Sequence, residues 1–385
     1  MSVTAAQGFT AAGIAAGIKA NGSPDLALVV NNGPRLAAAG VFTSNRVKAA
    51  PVHWSEQVLR GGAVSAVVLN SGGANACTGP QGFQDTHATA ERAAEALGGE
   101  HNAGEIAVAS TGLIGLLLPM DKLLPGIGTA AAALTEDGGE AAAIAIRTTD
   151  TVHKTAAVSR DGWTVGGMAK GAGMLAPGLA TMLVVLTTDA DLDSAALDKA
   201  LRSATRTTFD RVDSDGCMST NDTVLLLASG ACGRVPAYEE FAEAVRTVCA
   251  DLARQMVGDA EGASKDIRIE VINAATEADA VEVGRSVARN NLLKCAIHGE
   301  DPNWGRVLSA IGTTQAAFDP DRLNVAINDV WVCRGGSVGE DRDLVSMKGR
   351  EVRITADLAA GTESAVIWTN DLTAEYVHEN SAYSS

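Results

Sequence analysis

Residues Lys170–Asp189 read KGAGMLAPGLATMLVVLTTD, a loop of glycine and small residues that runs into a continuous apolar segment with no charge between its two ends. Thr181 stands at the seam. The local pattern has two readings. A Pro177-Gly178 turn can feed a buried strand, with Thr181 as its entry residue. Alternatively, breakage of the Ala180–Thr181 peptide bond gives Thr181 a free α-amine, whose pKa is about 7.7–8.0 in model peptides. That amine lies close enough to Oγ to take its proton near neutral pH, so one cleavage makes both nucleophile and base. A loop that tolerates strain, followed by a strand that fixes the hydroxyl, suits this second reading.

The flanking sequence alternates between strand and helix patterns. Leu26–Val30, Ala63–Asn70 and Ile106–Thr111 read as strands ending in small polar turns. Asp85–Leu97 and Tyr238–Val257 read as helices, the second with Phe241, Ala244, Val245, Val248 and Leu252 on one face. Ile267–Val271 alternates as a half-buried strand, and Ala156–Met168 reads as a hairpin turning at Asp161-Gly162. The class is α/β, with both hairpins and crossovers. The loop Ala172–Ala180 is the best candidate for a domain boundary, although it is less polar than an ordinary linker.

At 385 residues the chain suffices for one large domain or two ordinary ones. Hydrophobic residues make up 46% and aromatics only 4%, so the core is expected to be built of Ala, Val, Leu and Ile. A formal charge of −16 argues against a nucleic-acid groove and an anionic membrane surface, and leaves small substrates open. No apolar run approaches the ~20 residues of a membrane span, and the N-terminus lacks a secretory pattern, so a soluble cytoplasmic protein is expected. The six cysteines form no CxxC pair and are expected to be buried free thiols.

Four further motifs carry polar chemistry. Ala109–Gly115 (ASTGLIG) is either a strand-to-helix turn or an oxyanion hole, since a Thr-Gly turn offers a backbone N–H that a tetrahedral centre can approach. Asn70–Gly79 (NSGGANACTG) lacks the Gly-Lys-Ser/Thr ending of a phosphate loop and does not fit GxGxxG, which argues against a nucleotide; a positive-φ turn explains it. His298 with Glu300 and Asp301 is weak evidence for a metal. Asp213, Asp215 and Asp222 superficially resemble a calcium loop without its downstream glutamate, and a hydrogen-bonded turn before the strand TVLLLAS fits better.

Taken together, eight segments in order resemble the ornithine acetyltransferase family, also called bifunctional glutamate N-acetyltransferases: GVFTSNRVKAAPV, VVLNSGGANACTG, ASTGLIG, KGAGMLAPGLATML, STNDTV, EGASK, KCAIHGEDPNWGRVL and the terminal YVHENSAYSS. The resemblance covers nearly the whole chain. It implies an αββα sandwich like that of the DmpA aminopeptidases. It also implies self-cleavage into chains 1–180 and 181–385, which pair and assemble as an α2β2 heterotetramer. By the same resemblance Thr181 is the nucleophile, Thr111 and Gly112 form the oxyanion hole, and Thr148 (with Thr149 as its rival), Lys170, Glu261, Asn380 and Ser385 contact substrate. The implied reaction is ping-pong transfer of acetyl from N2-acetyl-L-ornithine to L-glutamate, with neither metal nor organic cofactor. Acetyl-CoA as a second donor is left open. Hydrolysis of the acyl-threonine by an amidase or aminopeptidase is the alternative, and an uncleaved binding protein a third. Two departures from the family pattern, Gly178-Leu179 and Cys217-Met218, point towards a paralogue of the kind associated with clavulanic acid clusters.

Overall fold

Runs of small β-branched and aliphatic residues set the first half of the fold. The computed structural model describes residues 2–99, 101–176 and 182–382, which form two compact units. The first comprises residues to Asp210 together with Cys217–Asp259. It holds strands β1 (Phe9–Ile14), β2 (Leu26–Asn31), β3 (Ala37–Phe42), β4 (Ala66–Ser71), β5 (Ile106–Thr111), β6 (Lys154–Arg160), β7 (Trp163–Lys170), β8 (Leu183–Thr188) and β9 (Thr223–Ala228). Its helices are α1 (Ala50–Leu59), α2 (Gly79–Leu97), α3 (Met120–Ala132), α4 (Gly139–Ala145), α5 (Ser194–Thr207) and α6 (Tyr238–Gly258).

One sheet runs β1-β2-β4-β5 and the other β3-β9-β8-β7-β6. β2, β4, β5, β8 and β9 are buried along their whole length, so they read as unbroken apolar runs rather than as alternating ones. Val29, Val67 and Leu69 of one sheet share a core with Met168, Leu183, Val185 and Leu225 of the other. The outer face of the first sheet, with Leu28, Val68 and Val108, is covered by Ala90 and Ala93 of α2 and Leu123 and Ile127 of α3. α5 packs on β3, and α6 on β6 and β7. The order helix, sheet, sheet, helix is the αββα sandwich. Each fully buried Val, Leu or Ile in it contributes roughly 1.5–3 kcal/mol.

The expected hairpin is present: Arg160 pairs with Trp163, and Gly162 turns at φ +80°. The loop after Lys170 lies inside this unit, because β7 and β8 on either side of it are adjacent antiparallel strands. The compact units divide elsewhere than at that loop.

The second unit comprises Arg211–Gly216 and the chain from Ala260 onward. Its strands are β10 (Asp266–Ala274), β11 (Asn324–Ile327), β12 (Val330–Arg334), β13 (Ser337–Val338), β14 (Glu351–Asp357) and β15 (Glu363–Asn370), in the order β13-β12-β11-β14-β10-β15. Helices α7 (Glu277–Ala288), α8 (Asn291–His298) and α9 (Trp304–Ile311) precede the C-terminal α10 (Ala374–Ala382). The alternation expected at Ile267–Val271 is real: Ile267, Ile269 and Val271 face a core completed by Val283, Val287, Val307 and Ile354.

Of the cysteines only Cys249 and Cys333 are buried; Cys77, Cys217 and Cys295 are exposed. Small neighbours in the sequence mark turns there rather than core, which corrects the expectation of buried thiols. Among the described residues no helix is long and apolar enough to cross a membrane.

Candidate active site

The first unit gathers polar side chains at the strand ends β5 and β7. Thr111 closes β5 and is 2% exposed. Gly112 follows at φ +126°, and a Cβ there would meet the amide nitrogen of Gly73 at 2.6 Å, so only glycine fits this turn. The Asn70–Gly73 motif is its counterpart. The Gly73 amide donates to the Thr111 carbonyl at 3.0 Å, and the Ala74 amide to the Leu113 carbonyl at 3.0 Å. Gly72, at φ +103°, supplies the positive-φ turn read from the sequence. Ser110 Oγ donates to Asn70 Oδ1 at 2.6 Å, and Asn221 Nδ2 donates to the carbonyls of Ala74 (2.6 Å) and Ser110 (2.8 Å). The Thr-Gly turn is therefore held by the glycine-rich Asn70–Gly79 loop and the buried Asn221 amide, as a fixed hydrogen-bond donor requires.

Lys170 ends β7 with a buried side chain, and its Nζ donates to Thr111 Oγ1 at 3.2 Å. Beside it Asp150 accepts from Lys154 Nζ (2.7 Å), the Gly171 amide (2.6 Å) and the Thr148 amide (3.2 Å). Lys154 also reaches Asp259 at 2.6 Å. Burial alone would raise the Asp150 carboxyl; Lys170, Lys154 and the Gly171 amide outweigh it and hold it at about 2. Thr148 and Lys170 are thus joined through Asp150, which sequence reasoning missed. Its only signal was the spacing of four residues to Lys154 in DTVHK.

A second buried carboxylate, Asp222, behaves in the opposite way. It precedes β9, and its Oδ1 accepts the Met182 amide at 3.0 Å. Burial pushes its pKa well above the ordinary value, against the pull of the Met182 amide and of Lys170. In the sequence Asp222 reads as part of a hydrogen-bonded turn before this strand.

Ala180 and Thr181, with Gly178 and Leu179 before them, and Ser385 at the C-terminus lie outside the described residues.

In the second unit Asn380 Nδ2 donates to Glu261 Oε2 at 3.0 Å, so two residues singled out from the sequence do meet. Glu261 lines a small pocket with Ser214, Asp215, Lys294, Asn370 and Tyr376. Lys294 is buried, bonds the Ser214 carbonyl and Thr369 Oγ1, and has its pKa lowered by burial. Of the groups weighed as metal ligands, His298 Nδ1 is hydrogen-bonded to Asp371 at 2.9 Å, Glu300 pairs with Lys265 at 2.9 Å, and Asp301 pairs with Arg342. Asp213 pairs with Arg289 at 2.8 Å, yet burial still raises it to about 6.

The model of the ArgJ family matches residues 10–385. The chain is 83% identical over 385 residues to the arginine biosynthesis bifunctional protein ArgJ of Streptomyces avermitilis, and 79% identical over 385 residues to that of Streptomyces coelicolor, with all of both chains covered in each case. Among solved structures it is similar to an ornithine acetyltransferase of Mycobacterium tuberculosis complexed with ornithine, at 61% identity and a TM-score of 0.46, over 47% of this chain and 96% of that one.

Proposed function

The chain belongs to the ArgJ family and is an acetyltransferase, and from that premise we propose that it moves acetyl from N2-acetyl-L-ornithine to L-glutamate through an ester on Thr181. The observation that carries this reading is the Thr111-Gly112 turn, fixed by the Asn70–Gly79 loop and Asn221 and touched by the buried Lys170 at the strand end that leads to Thr181.

The chain first cuts itself. Thr181 Oγ attacks the Ala180 carbonyl carbon, the C–N bond breaks with a proton passing to the leaving nitrogen, and water hydrolyses the resulting ester. The exposed α-amine then serves as base. Oγ attacks the acetyl carbonyl of acetylornithine, the oxyanion is held by Thr111 and Gly112, and ornithine leaves as the protonated amine. The glutamate amine attacks the acetyl ester in the second half-reaction, so the kinetics are ping-pong. Thr148, Lys170, Glu261, Asn380 and Ser385 are the substrate contacts of this proposal, Glu261 supplying a carboxylate for an ammonium group. The cut chains 1–180 and 181–385 form an α2β2 assembly in the cytoplasm. The names of its relatives support a place in arginine biosynthesis rather than in a secondary-metabolite cluster, and their description as bifunctional supports acetyl-CoA as a second donor.

Intact mass under denaturing conditions tests the first step. Two chains split between Ala180 and Thr181 are expected, with one full-length chain in Thr181→Ala. Incubation with acetylornithine and glutamate then gives acetylglutamate; release of acetate alone would assign the hydrolytic alternative. An uncut, active wild type would overturn the mechanism.

A further inference from the structure

The Thr111-Gly112 turn has a cationic neighbour that the scheme above does not use. Lys19, in the loop between β1 and β2, is half-buried against the glycine loop that braces the turn. A Cβ added to Gly72, next to the Gly73 amide that holds the Thr111 carbonyl, would meet Lys19 Cγ at 3.2 Å. The Asp25 carboxylate fixes the loop by accepting the amides of Ala16 (2.7 Å) and Lys19 (2.9 Å). Lys19 Nζ donates to the carbonyls of Pro24 at 3.0 Å and Arg147 at 2.6 Å, which uses two of its three N–H bonds. Arg147 directly precedes Thr148. A terminal nitrogen of its guanidinium donates to the Thr151 carbonyl at 3.0 Å, and its Nε is buried with no hydrogen-bond partner among the described residues.

The nearby carboxylates are already engaged. Asp25 holds two amides, and Asp150 holds Lys154 and the amides of Gly171 and Thr148. Burial lowers the Lys19 pKa; Arg147 and Lys170 lower it further, against the pull of Asp25 and Asp150. An ammonium with a spare N–H, crowded by a second lysine and beside an arginine with a buried spare N–H, is short of an anion. In a chain of net charge −16 this cationic cluster is a local arrangement and not a consequence of composition.

We infer that Lys19 and Arg147 form a carboxylate subsite beside the Thr111-Gly112 turn, and that it takes the α-carboxylate of the amino-acid substrates. The choice of carboxylate rests on the transfer proposed above. Its two substrates carry opposite charges on their side chains, an ammonium in ornithine and a carboxylate in glutamate. What they share is the carboxylate on the carbon that bears the reacting nitrogen. A fixed anion site can serve both half-reactions only through that shared group, and charge-assisted hydrogen bonds from Lys19 and Arg147 give it strength and direction.

The test sets acetylornithine against its α-carboxamide, which keeps the acetyl group and the side chain but loses the charge. Wild type is expected to prefer the acid by about 10²-fold in kcat/KM. In Lys19→Met, checked for folding by melting, that preference should fall to about tenfold, because kcat/KM drops for the acid and stays within about threefold for the amide. Lys19→Arg, which keeps a cation, should retain most of the preference. A purely structural role for Lys19 would slow both substrates equally and leave the ratio unchanged, and that result overturns the inference. Equal use of acid and amide by wild type overturns it as well, and needs no variant to fold. If wild type transfers no acetyl at all, the proposed reaction fails. Calorimetric binding of the acid and the amide to wild type then decides the subsite separately: tighter binding of the acid supports it, and equal binding overturns it.

Discussion

Two buried aspartates of the first unit stand in contrasting surroundings. Asp150 lies between two lysines and two backbone amides and is held at about 2; at Asp222 burial drives the pKa up against the Met182 amide, Lys170 and the Ser219 and Thr43 hydroxyls. Burial raises both carboxyls alike, so the difference lies in the partners. At Asp150 two cations overcome desolvation, making it a fixed charge that ties Lys170, Lys154 and the Thr148 backbone together. At Asp222 one cation and its hydrogen bonds do not, so burial wins and the carboxyl holds its proton above the ordinary range.

The contrast can be broken by exchanging charge for shape. Asp150→Asn leaves Lys170 and Lys154 short of a counter-charge in a dry site, and a loss of about 3–5 kcal/mol is expected in urea unfolding at pH 7. A loss of less than about 1 kcal/mol would mean that the lysines are already neutral or solvated. The same pair is sharpened by pH. The Asp150 pKa is depressed from 3.8 to about 2, so its stabilisation is complete above pH 3.8 and is lost as pH falls through about 2. Wild type should lose about 2 kcal/mol over that window, and Asp150→Asn should not, as read from denaturation midpoints at pH 4 and pH 2. The smallest effect is expected at Asp222, whose raised pKa means that the folded state keeps its proton above pH 3.8 and is destabilised as that proton leaves. Asp222→Asn mimics the protonated form, so its unfolding free energy at pH 7 should lie within about 1 kcal/mol of wild type. A loss as large as that at Asp150 would show that Asp222 is ionised and paired.

Much of the fold was legible because periodicity reports burial directly. The unbroken run of β8, the alternation of β10 and the single apolar face of α6 each fix which side meets a core. The Thr111-Gly112 turn, and Glu261 and Asn380 as separate residues of interest, were also reachable through motifs in recognisable order; that the last two touch each other was not. Asp150 and Asp222 were not. Each is a single carboxylate in a polar turn, and nothing in DTVHK or STNDT states that one will face two lysines and the other be sealed where burial outweighs its partners. That is decided by strands far away in sequence, by β7 for Asp150 and by the start of β8 for Asp222. The exposed cysteines failed for a related reason, since small neighbours are as common at turns as in cores.

The strand order β3-β9-β8-β7-β6 has a mechanical consequence for a chain divided after residue 180. β8 and β9 would belong to the C-terminal piece, and β3, β7 and β6 to the N-terminal piece. Two strands of one polypeptide are then dovetailed between strands of the other, with a ladder to β7 on one side and to β3 on the other. Separation would have to unzip both ladders at once and open the middle of a sheet, so the nicked molecule should persist as one body for kinetic reasons alone. A covalent link cut there would be spent once as a reagent, and its loss would leave the architecture standing.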